Sequence, residues 1–369
     1  MDLARISVRD FGAKGDFVHD DTASIQAAID ASHERGTVPG GRRAIYLSGG
    51  DYLVGPLRLH ANIALIGDGT GTSRLFSRDP GQAILSLTGI VENTHGVHLR
   101  GLGFFANERA GIGLHLAGRD ADTRILEVRV EDCQFSLFAE AVRLRLCSNV
   151  WLGNVHAAAC ITGVVIDTSS DVKLSRCFAD NGGGWAYHIS DDGEHGASGE
   201  GIYLMGCVSN AQAGGLLVEN QSWGQAIGCS FTSCRGDAVV LDGASGWRVS
   251  QGEMATASDG RGLVLRGAAS KCIVEGNYIA LCNGAILAGG SDHLIANNLL
   301  DAGIGANPDI ELAGLACKVG GNKCLSMASR FSIVETGDAN FNYITANMVQ
   351  GQIAKQGQGS VISPDQFRY

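Results

Sequence analysis

The chain has 369 residues, a formal net charge of −10 at pH 7, 45% apolar residues and 18% charged residues. This apolar content excludes a disordered chain. The negative charge argues against a nucleic-acid partner, because the affinity of a general nucleic-acid binder comes from neutralising phosphates. No continuous apolar run reaches roughly 18 residues, so we expect no membrane insertion.

The first elements along the chain are a short strand, a turn and a helix. Residues 6–8 alternate as a strand does, and residues 10–16 are rich in turn formers. The next segment predicts an amphipathic helix, capped by Asp21 or Thr22 and ending near Gly36. The residues that share its apolar face are Ile25, Ala28, Ile29 and Ser32. Such a helix suits the open end of a stacked β-structure, where strand edges are otherwise exposed.

Short strands begin in residues 44–66 and become regular further on. Between residues 150 and 243 one pattern is repeated four times, starting at Val150, Val172, Ile202 and Gly224, with steps of 22, 30 and 22. Each repeat holds short alternating runs broken by Gly, Asn or Ser, without a ten-residue run at helical period. This predicts a β-solenoid with coils of about 22 residues, stacked roughly 4.8 Å apart.

The same repeat continues before residue 150 and after residue 243. It predicts coil starts at Val97, Val128, Trp247, Cys272 and His293 as well. Two longer steps place insertions near residues 118–122 and between Val172 and Ile202. Residues 67–71 are rich in glycine but precede no helix, so we interpret them as a tight turn and not as a phosphate-binding loop.

Two residue types recur at matched positions. Four of the eleven cysteines are in register, and no pair has CxxC spacing. We therefore predict buried thiols, no disulfide or metal site, and folding in a reducing cytoplasm. Four asparagines are also in register and predict a structural amide ladder. The two sets are Cys133, Cys177, Cys207 and Cys229, and Asn277, Asn298, Asn322 and Asn347.

The N-terminal segment carries a family resemblance. DFGAKGDFVHDDTASIQAAIDA, followed by AIYLSGGDYLVGPLRLHANIALIGDG, resembles the signature of the pectate-lyase-3 superfamily. That group includes phage tailspikes, polysaccharide lyases, glycoside hydrolases and mannuronan C5-epimerases. The sequence departs from the pattern at Phe17, where a second glycine is usual. The resemblance implies an all-β fold, a single right-handed parallel β-helix of about 12 coils with a short N-terminal capping helix.

The repeat and the resemblance together set the predicted domain boundaries. Residues 1–43 form the cap, residues 44–350 form the β-helix, and residues 351–369 form a tail or C-terminal cap. Residues 1–5 lack the apolar segment of a signal peptide. We therefore expect a protein of the virion tail, or one that is extracellular only after lysis.

The insertion at residues 185–200 is the predicted active region, because loops inserted into a rigid solenoid often carry function. It concentrates acids, histidines and aromatic residues. Hydrolysis of a glycan needs two carboxylates, whereas β-elimination needs a base and a group that neutralises the uronate, such as Ca²⁺ if the protein is a lyase. The acid/base candidates for either reaction are Asp191, Asp192, Glu194 and His195. The alternative is a polar loop without a catalytic role.

Substrate-binding candidates lie in the same loop and in neighbouring coils. Trp185 and Trp223 are predicted sugar platforms, because an indole face matches the C–H face of a pyranose, whereas Trp151 and Trp247 are interpreted as packing residues. Arginines cluster between residues 100 and 145, but acids in that segment balance them. The full set of binding candidates is Trp185, Tyr187, His188, Glu219, Trp223, Asp237 and Asp242.

An outward-facing apolar row is the third prediction for this region. Monomers seldom leave a contiguous apolar patch bare, so we predict that the row packs against other copies in a homotrimer. The rival interpretation is a sugar-stacking surface. The predicted row consists of Val165, Tyr187, Leu217, Val239 and Leu241.

These features favour a polysaccharide depolymerase of the tailspike kind, a hydrolase or a lyase, acting on a bacterial surface or uronic-acid polysaccharide. One alternative is a free bacterial uronan lyase or C5-epimerase. Against an alginate epimerase, the Tyr-Gly-Phe-Asp-Pro-His element of those enzymes is absent from the sequence. Another alternative is a non-catalytic adhesin that binds glycan. No cofactor is predicted apart from the Ca²⁺ of a lyase.

Overall fold

The computed structural model describes residues 5–36, 44–194, 199–256 and 260–368. They form two compact units, unit 1 with residues 1–183 and 192–199 and unit 2 with residues 184–191 and 200–369. In each unit the chain passes repeatedly through three stacks of strands, called the first, second and third stack in the order it visits them. Neighbouring strands of every stack pair in parallel, in unit 1 and in unit 2 alike. The predicted parallel β-helix is confirmed.

The strands of unit 1 alternate buried and exposed residues, and the buried side chains fill the interior between the three stacks. A 3₁₀ helix spans Val8–Phe11. The first stack contains Ile6–Ser7, Ile45–Leu47, Ile63–Gly67, Thr94–Arg100, Ile125–Glu131, Cys147–Gly153 and Ser170–Ser175. The second stack contains Asp16–Asp20, Gly50–Val54, Ser73–Ser77, Gly103–Phe105, Gln134–Ser136, His156–Ala158 and Phe178–Asp180. The third stack contains Leu57–Arg58, Ala83–Leu87, Ile112–Ala117, Glu140–Arg145 and Thr162–Asp167.

Unit 2 repeats this arrangement, and its three stacks include strands from the predicted tail. The first stack contains Glu200–Met205, Ser222–Ile227, Arg248–Ser250, Ile273–Glu275, Leu294–Ala296, Lys318–Gly320, Tyr343–Thr345 and Val361–Ile362. The second stack contains Val208–Asn210, Ser230–Cys234, Glu253–Thr256, Tyr278–Cys282, Leu299–Gly303, Lys323–Cys324, Met348–Val349 and Phe367–Arg368. The third stack contains Trp185–Ser190, Gly214–Glu219, Val239–Asp242, Leu263–Arg266, Ile286–Ala288, Ile310–Leu312, Phe331–Glu335 and Gln352–Ala354.

The predicted N-terminal helix spans Thr22–Gly36. Its apolar face is buried as expected, at Ile25, Ala28, Ile29 and Ser32. The helix begins directly after Asp21, whose carbonyl accepts from the N–H of Ile25 at 2.9 Å, so Asp21 occupies the predicted N-cap position. The N–H of Thr22 donates to the carboxylate of Asp20. The carboxylate of Asp21 instead accepts from the N–H groups of Lys14 and Gly15, at 2.6 and 2.9 Å. Among the described helices, none is long and apolar enough to cross a membrane.

The predicted coil register is confirmed within each unit. In unit 1, Val128 pairs with Val97 on one side and with Val150 on the other, and Val150 pairs with Val172. In unit 2, Ile202 pairs with Gly224. Both predicted insertions lie between a third-stack strand and the next first-stack strand, after Ala117 and after Ser190.

The corner between the first and second strands of a coil explains both the cysteine and the asparagine columns. At this corner the Sγ of Cys177 donates to the carbonyl of Leu152 in the preceding coil of unit 1, at 3.4 Å. In unit 2, Nδ2 of Asn277 donates in the same way to the carbonyl of Val249, at 2.9 Å. All eleven cysteines are buried and free. Burial raises the pKa of the Cys133 thiol to about 12, so it stays protonated.

The predicted amide ladder is confirmed. Oδ1 of Asn298 accepts from the backbone N–H of Asn277 at 2.9 Å and from its Nδ2 at 3.1 Å. Asn322 accepts from Asn298 in the same manner, at 3.0 and 2.9 Å. Oδ1 of Asn347 likewise accepts from the backbone N–H and Nδ2 of Asn322. Gln366 is the last member of the column, and its Oε1 accepts from the backbone N–H of Asn347. These buried amides therefore satisfy one another from coil to coil.

The predicted outward row is wrong for three of its five residues, because the register of the third stack in unit 2 differs by one residue from the expected one. Val165 and Leu217 do face outward. In unit 2, Tyr187 pairs with Leu216, and Leu216 pairs with Val239. A shift of one residue turns every side chain to the other face of the sheet. Tyr187, Val239 and Leu241 accordingly face the interior and are at most 1% exposed. The outward cluster consists of Leu217, Val240 and Val264, with Trp185 and Leu287 packed against it.

We expect replacement of Asn298 by Ala to lower the free energy of unfolding by at least about 2 kcal/mol, because it leaves buried amide groups without partners. Chemical denaturation monitored by circular dichroism measures this loss. Gln358→Ala is the matched control, since its side chain is exposed and makes no hydrogen bond among the described residues. Equal stability of the Asn298→Ala variant and the wild type would contradict a stabilising ladder.

Candidate functional site

The strongest concentration of reactive side chains in unit 1 lies on the outer face of the third stack. Leu114, Val142 and Val164 pair across neighbouring strands and face the interior. The alternate residues therefore face outward. They line a groove of about 650 Å³ together with residues of the preceding corners. The groove includes His115, Arg143, Arg145 and Asp167.

Arg143 is held in place by a carboxylate of its own strand. Its Nε and Nη2 donate to the two carboxylate oxygens of Glu140, each at 2.5 Å. This bidentate contact raises the pKa of Arg143 and fixes the plane of the guanidinium. A guanidinium has five N–H groups, and the contact with Glu140 uses two of them.

His115 pairs with Arg143 across neighbouring strands, and Ser86 lies on its other side. Burial and the nearby cation of Arg143 lower the pKa of the imidazole below its ordinary value of 6.5, and Arg145 adds to this effect. Among the described residues none forms a hydrogen bond or ion pair with the His115 ring. The imidazole is therefore neutral at neutral pH and able to accept a proton.

Arg145 joins two carboxylates at the end of the groove. Its Nε lies 3.3 Å from Oδ2 of Asp167, and its Nη2 lies 3.9 Å from Oδ2 of Asp192. The hydroxyl of Thr168 lies 3.1 Å from Oδ1 of Asp167 and 3.2 Å from Oδ1 of Asp192. The insertion therefore contributes one of its predicted acid/base residues to this groove.

The other predicted catalytic residues are not brought to the groove by any described contact. In unit 2, the backbone N–H of Asp191 donates to the carbonyl of Glu219 at 3.0 Å. In unit 1, Glu194 is exposed, and its backbone N–H donates to Oδ1 of Asp192 at 2.8 Å. His195 lies outside the described residues. Among the three candidates that the structure describes, Asp192 lies beside Arg145.

The predicted substrate-binding residues of unit 2 differ in their accessibility. Tyr187 cannot contact a polymer, because its ring is buried and its hydroxyl donates to the carbonyl of Val208 at 3.1 Å. His188 and Glu219 form a 2.6 Å pair. Trp223 is 64% exposed and remains a predicted sugar platform.

Three further candidates in unit 2 make contacts that hold the coils together. Trp185 packs against the outward cluster. Asp237 accepts from the backbone N–H of Arg261 at 2.8 Å. Asp242 pairs with Arg266 of the next strand at 2.7 Å. Their assignment to substrate binding stays a prediction.

The groove residues His115, Arg143 and Asp167 were not among the predicted site residues. A signal for them exists in the sequence, because GLHLA, AVRLR and GVVID occupy the same strand in three successive coils. Aligning these strands puts polar residues at the outward positions. Local charge balance concealed them, since the acids that offset the arginines in composition are their ion-pair partners in the fold.

The comparisons with known families agree with this architecture. The sequence profile described as "Rhamnogalacturonase A/epimerase, pectate lyase-like" matches residues 5–260, more than half of the chain. A profile described as "Right handed beta helix region" matches residues 214–364. The chain therefore belongs to the rhamnogalacturonase A/epimerase, pectate lyase-like family. Its parallel β-helix is right-handed, as the N-terminal resemblance implied.

Curated relatives match a limited segment. Mannuronan C5-epimerase AlgE1 and alginate lyase 7, both of Azotobacter vinelandii, are each 40% identical over 98 residues. That segment is 24% of this chain, and it spans only 6% and 11% of the two relatives.

Solved structures match over nearly the full length. The A-module of mannuronan C-5 epimerase AlgE6 from A. vinelandii has a TM-score of 0.70 at 19% identity and covers 99% of both chains. The DFA-IIIase of Arthrobacter chlorophenolicus A6, in complex with GF2, has a TM-score of 0.67 at 13% identity, covering 98% of this chain and 100% of that one. ORF18 of Geobacillus virus E2 has a TM-score of 0.56 at 16% identity, with 95% and 61% covered. At these sequence identities, the structural similarity shows that the three proteins share the fold of this chain and shows nothing further.

Within the described ranges, no group of three or more His, Cys, Asp or Glu side chains is arranged to hold a metal ion. The Ca²⁺ requirement of a lyase therefore stays a prediction.

We expect the His115 ring to titrate below 6.5 in the native protein. Replacing Arg143 by Gln removes a neighbouring cation and raises this pKa. Nitrogen chemical shifts of the imidazole, followed by NMR against pH, measure both values. His19→Asn is the control, because His19 is exposed and pairs with Asp16 instead. An unchanged titration in Arg143→Gln would contradict the electrostatic coupling.

Proposed function

We propose that this protein is an enzyme that acts on a uronic-acid polysaccharide, bound in the third-stack groove of unit 1. The observation that carries the proposal is His115, a neutral imidazole placed beside the guanidinium of Arg143. A neutral base next to a fixed cation is suited to removing a proton from carbon adjacent to a carboxylate.

The proposed reaction begins at C5 of a uronate residue. A ring nitrogen of His115 takes the C5 proton, and the electron pair of the C–H bond moves toward the carboxylate. Arg143 and Arg145 stabilise the negative charge that develops there. In a lyase, the C4–O4 bond then breaks, a C4=C5 double bond forms, and the leaving oxygen gains a proton. In an epimerase, a water molecule on the opposite face donates a proton to C5, and the imidazolium of His115 releases its proton to solvent.

The named activities of the relatives support this class of substrate. The A. vinelandii proteins are named for mannuronan C5-epimerisation and alginate lysis, reactions that both act on a uronan. The proposal uses residues of this chain, since the Tyr-Gly-Phe-Asp-Pro-His element is absent. A lyase and an epimerase share the first proton transfer, so the same groove serves either outcome.

A hydrolase is the second candidate, and a separate observation favours it. Asp167 and Asp192 are both linked to Arg145 and to the Thr168 hydroxyl. Two carboxylates close together are the usual machinery of glycoside hydrolysis, one as acid and the other as base or nucleophile. Glycoside hydrolysis removes no proton from carbon, so His115 would not act as the base in that reaction.

The biological context is proposed from the N-terminal resemblance and not from the groove. Whereas the homotrimer was predicted from the outward apolar row and loses that basis in the third-stack register, the resemblance predicts a tailspike on a phage tail. The Geobacillus virus structure with the same fold is compatible with it. A free bacterial enzyme and a non-catalytic adhesin are the alternatives, and the adhesin is distinguished from the enzymes by the absence of products.

Digestion of a panel of uronic-acid polysaccharides tests the reaction. We expect ultraviolet absorbance from unsaturated products if the enzyme is a lyase, or inversion at C5, detected by proton NMR, if it is an epimerase. New reducing ends without absorbance would instead establish the hydrolase. Binding with no product of any kind would overturn the enzymatic proposal and leave the adhesin.

The role of His115 is tested by replacement with Asn. We expect kcat to fall by roughly 10²–10⁴, the usual contribution of a general base. Wild-type activity should also fall as the pH drops through the lowered pKa of His115, because a protonated imidazole cannot accept a proton. His19→Asn is the matched control and should retain activity. Full activity in His115→Asn, with an unchanged melting temperature, would rule out this base.

A further inference from the structure

We propose that the outer face of the first stack in unit 1 carries a second binding site for acidic glycan, separate from the His115 groove. The class of ligand rests on the proposed function, but the site itself rests on a different set of residues. Its centre is Trp151, with Arg129 on one side and Lys173 on the other.

The site is a groove of about 770 Å³ across several coils. Val128, Val150 and their neighbours of the same column face the interior, so the residues that follow them face outward. Register pairs His98 with Arg129, Arg129 with Trp151, and Trp151 with Lys173. One aromatic side chain therefore lies between two cations along the direction of stacking.

Trp151 is partly exposed, so its interpretation as a packing residue is wrong. A Cβ atom at Gly153 would lie 2.7 Å from the indole Nε1, so the absence of a side chain there lets the ring lie over the strand. Within the part of the chain that the structure describes, the Trp151 N–H has no hydrogen-bond partner. Trp247 differs, because it is fully buried and its N–H donates to the carbonyl of Gln221 at 3.0 Å.

The cations of this groove are not paired with the acids that line it. Arg129 and Lys173 are exposed and form no ion pair with any described residue. The two carboxylates that line the groove contact histidines instead, Glu131 accepting from His98 at 3.1 Å and Glu127 lying 3.8 Å from His95. The surface therefore offers two available cations in a protein whose net charge is −10.

The spacing of these groups indicates the ligand. Adjacent coils are roughly 4.8 Å apart, close to the advance of one sugar along an extended glycan chain. A pyranose stacked on Trp151 would place the carboxylates of its neighbours near Arg129 and Lys173. Charge-assisted contacts of this kind are stronger than neutral hydrogen bonds. A neutral glycan could use only the indole.

Equilibrium binding of oligomannuronate tests the site, with a neutral cello-oligosaccharide for comparison. All variants carry His115→Asn, which removes the proposed base and so prevents β-elimination and epimerisation during the measurement. We expect Trp151→Ala and the double variant Arg129→Ala, Lys173→Ala each to raise the Kd for oligomannuronate about tenfold or more, equivalent to about 1.4 kcal/mol. Raising the salt concentration should weaken the parent more than the double variant.

Arg248→Ala is the matched control, because Arg248 is an exposed first-stack arginine of unit 2 that lies outside the groove. It should leave the Kd unchanged. Trp151→Phe keeps an aromatic face and should lose less affinity than Trp151→Ala. Circular dichroism of each variant confirms that the fold is retained.

The outcomes separate this inference from the proposed reaction. Unchanged Kd values in the tryptophan and cation variants would overturn the second site, even if His115-dependent turnover is observed. Equal affinity for the neutral glycan would also overturn it. If no uronan is turned over but these variants still bind oligomannuronate more weakly, the reaction fails and the second site stands.

Discussion

The constraint on which this fold depends is the satisfaction of buried backbone groups where the chain turns from the first stack to the second. Each turn directs carbonyl and N–H groups toward the next coil, where they are buried and need partners. Cysteine thiols serve as donors in early coils, and asparagine amides serve as both donors and acceptors in later ones. Because each contact joins the corner of one coil to the adjacent coil at a fixed offset, it also fixes their register.

Register in turn decides which side chains meet on the surface. Outward residues of one strand lie next to those of the strands above and below, although they are more than twenty residues apart in sequence. His115 and Arg143 meet in this way, as do Arg145 and Asp167. The insertion then adds Asp192 without disturbing the stack that carries the other groups.

The sequence predicted the first-stack register well, because Val150 and its equivalents recur beside columns of cysteine or asparagine. It failed in the third stack, where Leu216, Leu217 and Val218 are all apolar and no alternation marks the inner face. Corner lengths also vary, from residues 181–184 in one coil to residues 211–213 in the next. A fixed coil length therefore misplaced Tyr187 by one position.

The charges of the two grooves suggest different tasks. In the third-stack groove, Arg143 and Arg145 are matched by the carboxylates of Glu140, Asp167 and Asp192, so long-range attraction for a polyanion is weak there. Such compensated charges hold reactive groups in fixed positions, as catalysis requires. The cations beside Trp151 form no ion pair with any described residue, so they are available to contact the polymer. The net negative charge of the protein repels an acidic polymer. A protein that acts on such a polymer therefore needs a cationic binding groove in addition to its catalytic groove.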